Sequence, residues 1–166
     1  LSTKQLDLAM FDSVEVLRGS DALYGNSGEP GGAINLVRKK PTKEFQLNAS
    51  VNTGSWNNYR SELDVSGSIS EDSHIRARLV AAYEEREYFY DASDSDKTVL
   101  YGVIEADIRE STLLTVGGSY LRNDSNSWRN GLPRYSNGKD IGFSRSRFLA
   151  ASEDRWLTKT EQFFIL

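Results

Sequence analysis

The sequence contains no cysteine, a single histidine at position 74 and only three prolines among its 166 residues. Without cysteine, the chain has no disulfide framework, no thiolate zinc cluster and no thiol nucleophile. One histidine does not favour a metal site built from histidines, so the sequence predicts no resident metal or cofactor. No apolar run approaches the ~20 residues that a membrane-spanning helix needs.

The chain also lacks the positive charge that a general nucleic-acid-binding protein carries. Its formal net charge is −4 at pH 7, which predicts no nucleic-acid partner. Its mean hydropathy is −0.53. That low value still allows a transmembrane barrel, because strands that alternate polar and apolar residues are hydrophilic on average.

From residue 44 onwards, apolar and polar residues alternate with a period of two. Ile75, Ala77 and Leu79, for example, alternate with Arg76 and Arg78. The same alternation covers residues 45–52, 59–69, 75–83, 100–108 and 114–120. A period of two predicts strands with one apolar and one polar face, whereas helices repeat every 3.6 residues.

The connections between these segments tend to alternate in length. Residues 70–73 and 109–111 predict tight turns, whereas 90–97 and 123–156 predict longer loops; the short segment 54–58 departs from this scheme. Sequential hairpins with a short-turn end and a long-loop end are typical of outer-membrane barrels. A soluble two-sheet sandwich also alternates, and the pattern alone leaves both architectures open.

The stretch from Val14 to Pro41 holds five of the chain's 13 glycines. Strand-like runs at Val14–Leu17 and Ala33–Val37 enclose them, and Ser20–Tyr24 could form one helical turn. The spacing fits neither a P-loop nor a dinucleotide fingerprint. Because glycine permits positive φ and close backbone approach, we expect a compact, packed backbone here rather than a linker.

Four elements follow one another in this stretch: VEVLRG from Val14, LYG from Leu23, GEPGGAIN from Gly28, and Lys40-Pro41. Together they resemble the end of the plug domain of TonB-dependent outer-membrane ferric-siderophore receptors. The matching positions are Glu15, Arg18, Gly19, Tyr24, Gly25, Gly28, Pro30, Gly31, Gly32 and Asn35. The following segments, with Gly131–Pro133 and Tyr135–Gly138 in the long loop, are similar to the barrel start of hydroxamate- and pyoverdine-type receptors.

The resemblance implies a mainly β fold made of two parts. Residues 1–42 would be the C-terminal part of an α+β plug domain. Residues 43–166 would form antiparallel transmembrane strands, about six of a barrel of about 22. The chain starts without Met and stops within an apolar run, so we expect an internal fragment of a longer protein.

The implied function is import rather than catalysis. The resemblance implies a receptor in the outer membrane of a Gram-negative bacterium, which binds a ferric siderophore, is driven by the TonB energy-coupling protein and contacts lipid and lipopolysaccharide. Iron would be carried as the ligand and not as a cofactor. The alternatives are a passive porin-like or adhesin barrel and a soluble carbohydrate-binding β-sandwich.

The long loop carries the candidate ligand-binding residues. Between residues 125 and 148 the net charge is +4 in a chain of −4. Cations interleaved with aromatic rings suit a flat, anionic ligand through steering and stacking. The candidates are Trp128, Tyr135, Arg129 and Arg134, together with Tyr24 of the glycine-rich stretch. Contact with lipopolysaccharide phosphates is the alternative role for this loop.

Charged residues on the polar strand faces are predicted to meet the plug segment. These polar faces would form the inner wall of the barrel. Glu15 and Arg18 are candidates for polar contacts with this wall. The wall would supply Arg60, Glu62, Asp64, Arg76, Arg78, Glu105 and Asp107, most of them in structural ion pairs. Although Glu105 and Asp107 share one face, no cleft marks them as an acid/base pair, so no catalytic residue is predicted.

Overall fold

The computed structural model describes residues 6–18, 32–72, 74–109, 111–126, 133–148 and 157–165. They form one 3₁₀ turn, Leu8–Met10, and eight strands. The strands are β1 (Phe11–Arg18), β2 (Gly32–Arg38), β3 (Gln46–Gly54), β4 (Asn58–Ser68), β5 (Ile75–Glu87), β6 (Asp94–Arg109), β7 (Thr112–Asn126) and β8 (Leu157–Ile165). Within these ranges, no helix is long and apolar enough to cross a membrane.

Strands β1 and β2 pair antiparallel as a separate two-stranded sheet, the N-terminal hairpin. Val16 lies opposite Ile34, and Arg18 opposite Gly32. Both predicted strands are therefore present, and they are longer than their apolar cores. The predicted helical turn at Ser20–Tyr24 lies outside the described residues.

Strands β3 to β8 form one six-stranded antiparallel sheet in simple chain order. Every neighbouring pair is antiparallel, as expected for consecutive hairpins. The strands extend beyond the predicted segments at the long-loop end. Strand β6 starts at Asp94 and β7 continues to Asn126, so both include residues of the predicted loops 90–97 and 123–156. Polar side chains there pair across strands even though the apolar alternation has ended.

The two faces of this sheet are inverted relative to a water-soluble protein. Apolar side chains on the outer face are 42–77 % exposed; they are Leu47, Val51, Leu63, Ile75, Leu79, Leu100, Ile104, Leu114 and Val116. On the inner face, residues such as Asp64, Ser66, Tyr101, Glu105 and Asn123 are at most 5 % exposed. The apolar face therefore looks outward, and the polar face is covered.

Close strand contact explains one glycine on the inner face. A Cβ at Gly117 would lie 2.7 Å from the Gly102 carbonyl oxygen and 3.1 Å from the Val103 Cα. Because both neighbours belong to the backbone of β6, they cannot move aside as a flexible side chain would. Gly117 therefore allows β6 and β7 to pair at their observed spacing.

Candidate functional site

The N-terminal hairpin is attached to the inner face of the sheet at two places. The first lies just before β1, where Asp7 caps the 3₁₀ turn by accepting a hydrogen bond from the Ala9 N–H (3.0 Å). The Arg60 guanidinium on β4 donates to both carboxylate oxygens of Asp7, at 2.9 and 3.0 Å. Lys97 on β6 lies 3.4 Å away. One carboxylate thus joins the hairpin to two strands.

The wall residues around Asp7 form a small charged cluster. Arg60 also bonds Glu84 (2.9 Å) and Glu62 (3.2 Å), and Lys97 lies 4.0 Å from Glu84. Burial of Asp7 opposes its charged form, but hydrogen bonds from Arg60 and the Ala9 N–H outweigh burial and hold the pKa of this carboxyl below its usual value. Asp7 therefore stays ionised at this contact.

Apolar packing supports the same attachment. Ala9 and Met10, both 5 % exposed, belong to one cluster with wall residues of β5, β6 and β7. These wall residues are Val80, Ala82, Val99, Tyr101, Val103 and Leu121. The centre of the inner face is therefore apolar, with the ionic contacts around it.

The second attachment is the linker between β2 and β3. The Lys39 ammonium bonds Asp64 (2.8 Å), which also accepts two bonds from Arg78 (2.7 and 2.8 Å). The Tyr101 hydroxyl donates to the Lys39 carbonyl (2.7 Å), and Arg78 donates to the Lys40 carbonyl (3.0 Å). The linker is thus held by three consecutive strands.

Thr42 completes this attachment. Its backbone N–H donates to the Ser66 hydroxyl (2.8 Å), and the two hydroxyls lie 2.9 Å apart. Ser66 is 2 % exposed. Three of the wall residues predicted to meet the plug, Arg60, Asp64 and Arg78, therefore do contact the N-terminal segment.

Two partners on the side of the hairpin were not among the predicted residues. Asp7 and Lys39 make the ionic contacts, whereas Glu15 accepts a hydrogen bond from Asn35 on the neighbouring strand (2.8 Å). Both of those residues are exposed. The Arg18 side chain and Gly19–Gly31, which include Tyr24, lie outside the described residues, so their predicted roles stay predictions. Asp7 was missed because it precedes the motif.

The paired carboxylates Glu105 and Asp107 belong to a structural network. Arg76 donates to Glu105 (3.0 Å) and to Asp107 (2.8 Å). Both carboxylates thus bond the same cation. An acid/base pair needs two carboxyl groups in different environments, and a shared arginine does not provide them. In the described part of the chain, no group of three or more His, Cys, Asp or Glu side chains could hold a metal ion.

The connections at the long-loop end of the sheet are hydrogen-bonded to one another. The Glu87 N–H donates to the Trp56 carbonyl (2.9 Å), and the Asp91 N–H to the Ser146 carbonyl (2.7 Å). Ser93 also donates to the Asn126 carbonyl (2.6 Å). The β3–β4 turn, the β5–β6 loop and the described part of the β7–β8 connection therefore form one surface.

Within this surface, residues Arg134–Asp140 form a miniature hairpin. Arg134 pairs with Asp140 as an antiparallel bridge, and the Tyr135 N–H donates to the Lys139 carbonyl (3.1 Å). Gly138 closes the turn at φ +80°, which disfavours other residues. The Tyr135 side chain is 57 % exposed. Tyr135 and Arg134 are thus adjacent on an exposed turn, while Trp128 and Arg129 lie outside the described residues.

A second aromatic group on this surface was not predicted. Tyr88 stacks on Tyr90 with ring centroids 5.7 Å apart, Phe89 meets Tyr90 edge-on at 5.1 Å, and the Arg86 guanidinium lies 4.5 Å from the Tyr88 ring centroid. The sequence signal was present as three consecutive aromatic residues, Tyr88–Tyr90, that begin two positions after Arg86. The sequence interpretation missed this group because the acidic residues that follow it, Asp91, Asp94 and Asp96, indicate a solvent-exposed loop.

The cleft beside these aromatic residues is acidic. It measures about 600 Å³ and is lined by Glu85, Glu87, Asp91, Asp94 and Asp96 as well as by the aromatic run. Such a lining repels an anionic ligand. The basic β7–β8 connection, with Arg147 5.7 Å from the Phe143 ring centroid, offers the opposite charge and remains the candidate for anion capture.

Comparison with known proteins reveals close relatives. The chain is 42% identical over 161 residues to the ferripyoverdine receptor of Pseudomonas aeruginosa, covering 95% of this chain and 20% of the relative. It is 43% identical over 141 residues to the ferric-pyoverdine BN7/BN8 receptor of Pseudomonas putida, covering 84% and 17%. No family model matches the chain.

Solved structures agree in fold. The crystal structure of the P. aeruginosa outer-membrane ferripyoverdine receptor bound to ferripyoverdine superposes with a TM-score of 0.81 at 42% identity, covering 95% of this chain and 21% of that one. The complex of FpvAI with pyocin S2 gives 0.86 at 40% identity, covering 99% and 22%. This chain spans about a fifth of the length of the curated relatives that it matches.

The inverted sheet, the attachment of the segments that flank the hairpin to its inner face and these similarities together define the class. The chain belongs to the TonB-dependent receptors of the outer membrane, with an N-terminal plug segment against barrel strands. Within that class, its relatives at 32–43% identity over most of the chain are receptors for ferric pyoverdines. These relatives are named as receptors and not as enzymes.

Proposed function

We propose that this chain serves the import of a ferric siderophore of the pyoverdine class, with iron carried as the ligand and no resident cofactor. The observation that carries the proposal is the N-terminal hairpin held on a covered polar face whose opposite face is apolar and exposed. A passive pore needs no such occupant, and a soluble sandwich would bury its apolar face. Identity of 42% to a ferripyoverdine receptor supports the choice of ligand class.

In this proposal, each part has one task. The basic β7–β8 connection captures the anionic ligand outside, and the hairpin blocks the path until the periplasmic TonB protein pulls on the plug. The exposed outer face contacts lipid, and lipopolysaccharide lies at its outer margin. The acidic cleft lined by Asp91 and Asp94 takes no part in capture, because its charge has the wrong sign. No reaction is catalysed.

The test is uptake of radioactive iron by cells that lack every other receptor for ferric pyoverdines. The receptor is expected to support uptake of at least one purified ferric pyoverdine, and uptake should stop when TonB is deleted. A ferric siderophore of another class serves as the control ligand. Uptake of no ferric pyoverdine, or uptake that continues without TonB, would contradict the proposal.

A further inference from the structure

The two attachments of the hairpin differ in what the wall residues lose when each attachment is separated from the wall. We propose that Asp7–Met10 is a releasable latch and that Lys39–Thr42 is a fixed strap. The hairpin then leaves the wall at the latch while the strap holds it during transport. This inference rests on the proposed energised import, and it concerns how the path opens.

The charged wall beneath the latch is balanced on its own. If Asp7 withdraws, Arg60 keeps its bonds to Glu84 (2.9 Å) and Glu62 (3.2 Å). Lys97 stays 4.0 Å from Glu84. Two cations then face two carboxylates, and no charge on the wall is left without a partner. The usual cost of breaking a buried ion pair, an uncompensated charge, is largely avoided on the wall side.

With Asp7 in place, the same cluster holds three carboxylates and two cations. Docking the hairpin therefore adds a negative charge to a site that is already neutral. Two bonds from Arg60 and one from the Ala9 N–H hold that charge, and the packing of Ala9 and Met10 supplies apolar contact. The contact is thus stable at rest, and its loss leaves the wall charges paired.

The strap differs from the latch in its neutral polar contacts, although Asp64 and Arg78 would stay paired there too. If Lys39–Thr42 withdrew, the Tyr101 hydroxyl would lose the Lys39 carbonyl as its acceptor, at a residue that is only 2 % exposed. Ser66, also 2 % exposed, would lose both contacts with Thr42 and keep only a 3.3 Å hydrogen bond to the Ala77 carbonyl. Leaving buried polar groups without partners is costly. These losses resist removal of the strap.

A single backbone contact joins the latch to the strap. The Lys39 N–H donates to the Met10 carbonyl at 3.1 Å. Opening at the latch therefore needs this bond to break, together with the contacts of Asp7 and the packing of Ala9 and Met10. The strap bonds to Asp64, Arg78, Tyr101 and Ser66 can all remain, so the inner face would open beneath the latch alone.

Two buried wall residues can report on the two attachments separately. Ala82 (5 % exposed) belongs to the apolar cluster of the latch, and Ser66 (2 % exposed) lies under the strap. The chain has no cysteine, so Ala82→Cys or Ser66→Cys provides a single thiol within it. Since Ser66→Cys replaces the hydroxyl that contacts Thr42, each labelling rate is compared with that of the same thiol in the otherwise unchanged receptor. A buried thiol reacts only when its cover opens. Labelling rates with a polar methanethiosulfonate reagent in outer-membrane vesicles therefore measure each opening.

The first arm needs neither ligand nor energy. Asp7→Asn keeps an oxygen that can cap the 3₁₀ turn but removes the charge that Arg60 holds. It is expected to raise labelling of Ala82→Cys by about tenfold, the size of one charge-assisted bond, and to leave Ser66→Cys unchanged. Glu15→Gln, an exposed carboxylate on the same hairpin, is the matched control and should change neither rate.

If Asp7→Asn does not reach the outer membrane, Lys97→Met replaces it. That variant removes the 3.4 Å contact to Asp7 together with the 4.0 Å contact to Glu84 and leaves every bond of the strap in place, so a smaller rise confined to Ala82→Cys is expected. Equal rises at both thiols, or no rise at Ala82→Cys in the variant that folds, would overturn the assignment of latch and strap.

The second arm uses energised cells with the purified ferric pyoverdine that shows the greatest uptake. Uptake should accelerate labelling of Ala82→Cys and not of Ser66→Cys. Uptake with both thiols accelerated, or with neither, overturns the proposal while the import function stands. If no ferric pyoverdine is imported, the function fails, and the ligand-free arm alone decides whether the latch and the strap differ.

Discussion

The inner and outer faces of the six-stranded sheet obey opposite rules. On the outer face, Leu79 and Ile104 are about half exposed; on the inner face, Asp64 and Glu105 are almost fully covered. In water, such exposure of apolar surface would be unfavourable. In hydrocarbon it is required, while the polar face is free to hold charges that bond a plug segment.

The difference shows that solvent, and not residue type, decides which face is the outside. Charges on the covered face are tolerated where ion pairs hold them, as Glu105 and Asp107 hold Arg76. The interior is thus specified by ion pairs and hydrogen bonds around a modest apolar centre. The outer face carries no comparable specificity, and lipid requires only that it be apolar.

The largest effect is expected when a charge is placed on the outer face. Ile104→Arg should lower the free energy of unfolding in lipid by about 2–4 kcal/mol if Ile104 lies near the bilayer midplane. Ile108→Arg, on the same strand and face but next to the strand end, should cost about 0–1 kcal/mol. Urea titration of the receptor refolded in vesicles measures both. Equal costs at the two positions would contradict the assignment of the outer face to lipid.

The sheet could be predicted from the sequence because its signal is local and repeated. Alternation along residues 75–83 sets both strand and face, and tight turns force consecutive strands to pair. The extent of the strands could not be predicted in this way. Asp94 and Asn126 lie within β6 and β7 because polar residues continue the backbone pairing without an apolar pattern. Backbone pairing needs no apolar side chain.

The second effect concerns a charge on the inner face. Asp64→Asn should destabilise the docked linker by about 2 kcal/mol, the range for a hydrogen bond to a charged group, because Lys39 and Arg78 would lose their shared carboxylate. Asp72→Asn, exposed in the β4–β5 turn, is the matched control and should be nearly neutral. The mobility of a spin label at Lys40→Cys measures docking. Indistinguishable spectra for the two variants would refute the role of Asp64.

The site was harder to predict than the fold because its contacts join residues far apart in sequence. The wall charges Arg60, Asp64 and Arg78 were expected from their face alone. Their partners were not, since Asp7 and Lys39 lie outside the alternating segments and no local pattern links residue 7 to residue 60. Only the tertiary arrangement brings them together.

A smaller effect is expected from acid. Because the pKa of Asp7 is held below its usual value, the stability it contributes is present above about pH 3.9, the unfolded value. It is lost as the pH falls through the lower folded pKa. A spin label at Leu8→Cys, an exposed position on the latch, should thus stay immobile at pH 5 and loosen only in stronger acid. Two further carboxylates, Glu62 and Glu84, lie beside Arg60 and Lys97, so Asp7→Asn is the control. An identical acid transition in that variant would contradict the role of Asp7.

The smallest effect is expected at the loop end, which belongs to neither face. Tyr135→Ala should weaken binding of a ferric pyoverdine by about 0.5–1 kcal/mol, the range for an exposed ring contact. Ser136→Ala, in the same turn, is the control and should bind normally. Arg134→Gln should slow association at low salt and much less at high salt, because exposed charges are screened. Binding to the purified receptor in detergent separates ligand capture from lipopolysaccharide contact, which would alter membrane integrity but leave affinity unchanged. Wild-type affinity of Tyr135→Ala for every ferric pyoverdine tested would remove this turn from the binding surface and leave Trp128 and Arg129 as the remaining candidates on the loop.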